Sequence, residues 1–177
     1  IFTPFRYPPL KYGSRFGREF EPSLWYGSLE LEAAFSEVAF YRFKFLDDTM
    51  GDLGYVEIPM TAFTALLCTE RGVDLSEQPF ADYAENIFNK NTYEYSQPLG
   101  AAMRQDTIEA FIYTSARALQ KSKNIAAYTP DVFQLKQNQY VGQQQTWMCI
   151  ANNHVIEFTR IGIQGKERFS FLSETIK

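Results

Sequence analysis

Glu37 is the carboxylate best placed to do chemistry. It falls in a segment where Leu31, Ala34, Phe35 and Val38 recur at i, i+3, i+4 and i+7, the mark of a helix with one apolar stripe. On the helical wheel Glu37 lies beside that stripe, flanked by Ala33, Ala34 and Tyr41, so its carboxylate belongs at the edge of the core and not in open water. A half-buried carboxylate is either a structural ion-pair partner for a nearby Lys or Arg, or a group that acts on a ligand.

Three more residues invite the same pair of readings. Arg15 sits in Gly13-Ser14-Arg15-Phe16-Gly17, where the glycines let the backbone approach a ligand and the guanidinium can grip phosphate oxygens with two donors; the alternative is a solvated loop arginine. Tyr26 either stacks on a flat heterocycle or packs in the core. Ser115, at the end of the apolar run Ala110-Phe111-Ile112-Tyr113, either offers a hydroxyl to a cleft or satisfies a turn.

The elements that must position these residues are legible in outline. The first 27 residues are punctuated by Pro4, Pro8, Pro9, Gly13, Gly17, Pro22 and Gly27, and read as a loop with a short strand at 24–26. Its aromatics (among them Phe2, Phe5, Tyr7, Tyr12, Phe16 and Phe20) either anchor the loop or line a pocket. Ser28 is expected to be the N-cap of the helix, with Glu30 and Glu32 in its first turn and its end near Arg42. A strand is expected at 54–59, irregular or weakly helical chain at 76–91, a second helix at 97–105 and a strand at 110–113. Strands at 146–151, 155–161 and 168–172 follow, joined by turns at Asn152-Asn153 and Gln164-Gly165. This order predicts a single α+β domain over 1–177, with a mixed or antiparallel β core and flanking helices.

Composition narrows the function. With 45% hydrophobic and 16% aromatic residues in 177, the chain can bury a substantial core. Its net charge of −4 argues against a broad nucleic-acid footprint, so no direct nucleic-acid binding is expected, and an anionic ligand must be held locally. No apolar run is long enough for a membrane helix and the start does not read as a signal peptide, so the expectation is a soluble, cytoplasmic protein. His154 is the only histidine, leaving little from which to build a histidine triad or a multi-histidine metal site, and no metal is expected. Cys68 and Cys149 lack metal or redox spacing and are both expected to be buried.

Taken together, Tyr12-Gly13-Ser14-Arg15-Phe16-Gly17, Pro22-Ser23-Leu24-Trp25-Tyr26-Gly27, Glu37-Val38-Ala39-Phe40-Tyr41 and Tyr113-Thr114-Ser115-Ala116-Arg117 resemble the RES domain, named for its Arg, Glu and Ser. In that family arginine, tyrosine and glutamate follow one another at eleven-residue steps, as Arg15, Tyr26 and Glu37 do, and the serine comes much later. The likeness runs from the first residues through at least Phe133. Thr114 stands where the family usually has proline, and the chain starts abruptly at Ile1, as one cut at its N-terminus would.

The resemblance implies a fold like that of ADP-ribosyltransferases and an activity that destroys NAD by phosphorolysis or hydrolysis of its bond to nicotinamide. It implies Arg15, Tyr26, Glu37 and Ser115 as catalytic residues, with Arg117, and Arg6 with Tyr7 near the start, as substrate-binding residues. NAD would be a substrate and phosphate a co-substrate, with no separate cofactor. Many relatives are toxins held by an Xre-type antitoxin that covers the active site, which implies such a partner here. Two alternatives share the residues: mono-ADP-ribosylation of a macromolecule, and a non-catalytic module that binds a nucleotide or partner.

Overall fold

The computed structural model describes residues 1–7, 11–49, 54–118, 120–162 and 167–176. After a 3-10 turn at Thr3–Arg6, the chain forms strand β1 (Trp25–Ser28) and helix α1 (Leu31–Asp48). Strands β2 (Val56–Phe63), β3 (Leu66–Leu67) and β4 (Gly72–Asp74) follow, then short helix α2 (Ala84–Ile87) and helix α3 (Ser96–Gln105). The remainder is β5 (Ala110–Thr114), β6 (Lys123–Ala127), β7 (Phe133–Gln134), β8 (Gln144–Ala151), β9 (Val155–Arg160), β10 (Arg168–Leu172) and a last turn of helix, α4 (Ser173–Ile176). The α+β expectation holds: one domain, with two four-stranded sheets and four helices among the described residues.

The first sheet runs β1-β6-β5-β4 and is mixed, because β4 joins β5 in parallel while the other pairs are antiparallel. The second runs β10-β9-β8-β2 and is antiparallel throughout. Pro59 lies inside β2, where the sequence suggested the strand would end. The strand continues to Phe63 because β2 is at the sheet edge, where a missing N–H interrupts no inner ladder.

Helix α1 touches β1 and β6 of the first sheet and β9 and β10 of the second. Ala33, Phe35, Ala39, Phe43 and Leu46 are buried along one side, and the cluster formed by Phe35, Ala39, Phe43 and Leu46 packs on Trp147, Cys149, Ile156, Phe158 and Phe171 of the second sheet. Phe35 stacks on Phe158 with centroids 4.4 Å apart and meets Trp147 edge-on at 4.7 Å. Phe43 and Leu46 extend the apolar stripe, so the helix runs six residues beyond the expected end near Arg42. Its N-cap is Glu30, without a side-chain hydrogen bond, and not Ser28. That serine is the last residue of β1, paired with Asn124, and strand pairing has overridden the local capping signal.

The β8–β9 hairpin and β10 fall close to where the periodicity put them, with Asn152 Oδ1 accepting from the N–H groups of His154 and Val155 in the turn. The expected turn at Gln164-Gly165 lies outside the described residues. Cys149 is buried, but Cys68 is exposed, a correction to the expectation: it follows the two-residue edge ladder of β3 with β7, which offers no second layer to cover it. The N-terminal aromatics divide. Phe16 is fully buried, Phe2, Phe5 and Trp25 pack against Phe133, and Tyr7, Tyr12 and Phe20 are exposed. No helix among the described residues is long and apolar enough to cross a membrane.

Candidate active site

Arg15 is presented by a tight turn. Ser14 and Gly17 exchange backbone hydrogen bonds of 2.8 and 3.4 Å, leaving Arg15 and Phe16 as the two residues at the bend. Gly13 takes φ +70°, and a Cβ there would stand 2.3 Å from the Gly17 carbonyl oxygen, so the turn requires glycine. Phe16 is driven into the core edge-on to Phe111 and Tyr113, which anchors the turn from below. Gln97 in the first turn of α3 clamps it from the side, donating to the carbonyls of Tyr12 (3.3 Å) and Ser14 (3.1 Å). So fixed, Arg15 donates to the carbonyl of Asn89 at 2.7 Å and lies over the ring of Tyr93, 5.3 Å from its centroid.

Glu37 and Ser115, 78 residues apart in sequence, are in direct contact: the serine hydroxyl donates to Glu37 Oε1 at 2.7 Å. Ser115 Oγ also accepts from the N–H groups of Arg117 (3.2 Å) and Ala118 (3.1 Å), so its own hydrogen is left for the carboxylate. Asn124 Nδ2, from β6, donates to the same Oε1 at 2.7 Å, and Asn124 Oδ1 accepts from Ser28 Oγ at 2.7 Å. The partners of Glu37 are thus neutral donors. Among the described residues no Lys or Arg forms an ion pair with this carboxylate; the side chains that meet it are a hydroxyl and an amide.

These residues surround a cavity of about 510 Å³, lined by Arg15, Tyr26, Glu37, Tyr41, Tyr93, Tyr113, Arg117 and Asn124 among others. Its charged lining residues are Arg15, Arg42 and Arg117 against Glu37, so a chain with net charge −4 has a cavity lined by more positive than negative groups. Arg117 is 5% exposed. Its guanidinium lies 3.5 Å from the centroid of the Phe40 ring and donates to the Lys90 carbonyl at 2.6 Å. Burial, and next the neighbouring Arg15, hold its pKa below the usual arginine value.

The phenols mark how dry the cavity wall is. Burial pushes the Tyr26 hydroxyl up to about 12, despite hydrogen bonds to Ser14 Oγ at 2.8 Å and from the Phe16 N–H at 3.3 Å that favour its ionised form. Tyr113 is also raised, first by burial and next by the negative charge of Glu37; Tyr41, 54% exposed, is raised by partial desolvation and then by the neighbouring Tyr93, and says less about the wall. An aromatic, water-poor wall beside arginines and one carboxylate suits a ligand with flat rings and anionic groups.

Of the residues singled out in the sequence, Arg15, Tyr26, Glu37 and Arg117 line the cavity, and Ser115 stands behind Glu37 with its hydroxyl fully engaged. Arg6 is not brought there: it lines a second depression with Phe2, Phe5, Pro130, Asp131, Phe133 and Tyr140, and Tyr7 beside it is 65% exposed. Sequence reading missed Asn124, Tyr93, Tyr113 and the hydroxyl of Ser28. Asn124 had one weak signal, an amide set directly before the short apolar run Ile125-Ala126-Ala127. Among the described residues no cluster of His, Cys, Asp or Glu is arranged to hold a metal ion.

No curated protein matches the sequence. The family model described as RES domain matches residues 1–150, a stretch that holds Arg15, Tyr26, Glu37, Ser115, Arg117 and Asn124, and the chain therefore belongs to the RES-domain family.

Proposed function

We propose that this protein destroys NAD by breaking the bond between nicotinamide and ribose. The observation that carries the reading is the Glu37 carboxylate, set into the wall of an arginine-lined aromatic cavity and held by two neutral donors on one oxygen. Among the described residues no hydrogen bond is made to Oε2, so that oxygen is available to a ligand. Cleavage gives an oxocarbenium-like ribose, and a carboxylate whose charge is not cancelled by a contacting cation is suited to stabilise it.

The roles follow from position. Arg15 and Arg117 bind the pyrophosphate or an incoming phosphate, and Tyr26, with Tyr93, supplies ring surface for nicotinamide. The C1′–N bond breaks with its electron pair passing to the pyridinium nitrogen, so nicotinamide leaves neutral and needs no acid. An oxygen of phosphate or water then bonds to C1′, and in hydrolysis the water proton passes to Glu37. Ser115 acts through Glu37, because its hydroxyl has no capacity left for substrate. The family resemblance supports this assignment, and with it a fold like that of ADP-ribosyltransferases, a cytoplasmic toxin role and an Xre-type antitoxin partner.

The test is to incubate purified protein with NAD, with and without phosphate, and to follow nicotinamide and the nucleotide product by chromatography. Glu37→Gln should lower kcat about 1,000-fold while NAD affinity stays within a few-fold. Release accelerated by phosphate means phosphorolysis, and release indifferent to it means hydrolysis. ADP-ribose attached to a macromolecule would replace this reading with transferase activity. No release from folded protein would reduce the cavity to a binding site.

A further inference from the structure

We propose that Asn124 is a positioning residue that fixes the direction of the Glu37 carboxylate, an inference that rests on reading the cavity as the NAD site. Asn124 is 1% exposed, yet both ends of its amide are committed. Nδ2 donates to Glu37 Oε1 at 2.7 Å and Oδ1 accepts from Ser28 Oγ at 2.7 Å. An ionised carboxylate can only accept, so the amide must turn its NH₂ group toward Glu37 and its carbonyl toward Ser28. An amide pinned at both ends cannot flip.

The consequence is directional. Asn124 and Ser115 converge on Oε1 and tie that oxygen to β6 and to the turn after β5, which leaves Oε2, in a residue that lines the cavity, without a hydrogen bond among the described residues. The charged and titratable groups around the carboxylate come from several elements: Arg15 from the turn before β1, Tyr26 from β1, Tyr41 and Arg42 from α1, Tyr93 from the segment before α3, Tyr113 from β5 and Arg117 beyond it. The direct contacts are neutral, and they hold the charge in place without cancelling it.

Asn124→Asp tests this with almost no change of shape. It would set a second carboxylate at hydrogen-bond distance from Oε1, and two carboxylates that close share a proton. In a carbon-13 NMR pH titration, the Glu37 carboxyl of the variant should titrate about one pH unit or more higher than in the wild type. In NAD cleavage, the acid limb of the kcat profile should move up by a similar amount, and kcat at neutral pH should fall about 100-fold, with KM within about threefold. Ser28→Ala, which frees the amide carbonyl and removes a hydroxyl from the cavity lining, should lower kcat several-fold with KM within about threefold, and it decides the matter if Asn124→Asp does not fold. Unchanged Glu37 titration in folded Asn124→Asp overturns the proposal. So does a shifted titration that leaves kcat and its pH profile untouched, or a Ser28→Ala variant with wild-type kcat when it is the only folded variant. If the wild type releases no nicotinamide, the NAD reading fails, while the titration still reports whether residue 124 stands against the Glu37 carboxylate.

Discussion

The central strands of the second sheet, β8 and β9, bury Trp147, Cys149, Ala151, Ile156 and Phe158, all apolar, whereas β5 and β6 of the first sheet bury Asn124 and lead into Ser115 and Arg117. Among the described residues, no buried polar or charged side chain belongs to the strands of the second sheet. Helix α1 serves both, with Phe35, Ala39 and Phe43 turned to the apolar sheet and Glu37 reaching the polar one. One sheet thus seats the helix and the other completes the site that the helix carries. A buried polar group is tolerable only if it is satisfied, and here Asn124 and Ser115 are satisfied by half-buried Ser28 and by Glu37 Oε1, while Oε2 is left without a partner among the described residues.

If that division is real, damage to the two sides should separate stability from turnover. Phe43→Ala, on the apolar side, should cost about 3–5 kcal/mol of stability by denaturant melting, while kcat of the protein that remains folded stays near the wild-type value. Glu37→Gln should do the reverse, removing turnover with little change in the melting midpoint. A Phe43→Ala variant that stays stable, or one whose folded fraction is inactive, would show that the two sides are not independent.

Gly100→Ala probes the seam between α3 and the Arg15 turn. A Cβ at Gly100 would stand 2.0 Å from the carbonyl oxygen of Phe16, and backbone on both sides cannot yield cheaply. The expected cost is about 1–3 kcal/mol of stability. Because Phe16 is bonded to Arg15, KM for NAD should also rise about tenfold, with kcat affected less. Calorimetric NAD binding and melting curves read both. Unaltered affinity in a destabilised variant would mean that the turn supports the fold but not the ligand.

What the sequence revealed follows the same division. Helix α1 and the β8–β9 hairpin were legible because their core contacts repeat at 3.6 or 2 residues. The far end of α1 was obscured by Lys44, Asp47 and Asp48, although Phe43 and Leu46 keep the period. The polar side depends on contacts between residues distant in the chain: Ser28 to Asn124, Glu37 to Ser115. Ser28 therefore looked like a cap, and 123–127, alanine-rich with an asparagine, carried too little strand propensity to be noticed. Arg15, Tyr26, Glu37 and Ser115 were reached through the family pattern; their types alone left each open to a bland reading.

The smallest predicted effect is alkaline. Tyr26, Tyr113 and Tyr128 have raised pKa values, chiefly through burial, and all belong to the core of the first sheet. In the unfolded chain these phenols ionise near 10. Between that pH and their folded values, about 12 for Tyr26, the folded protein keeps protons that the unfolded chain has lost. Rising pH in that window therefore favours unfolding, and below it these groups contribute no pH dependence. Urea midpoints should fall above about pH 10, accompanied by phenolate absorbance that appears with unfolding. Tyr26→Phe removes one of these protons and should lessen the slope by at most about 1.4 kcal/mol per pH unit. Its lost hydrogen bond to Ser14 adds only an offset independent of pH in this range. An unchanged slope would mean that the Tyr26 hydroxyl reaches water in the folded protein, and that the wall beside Glu37 is wetter than the geometry implies.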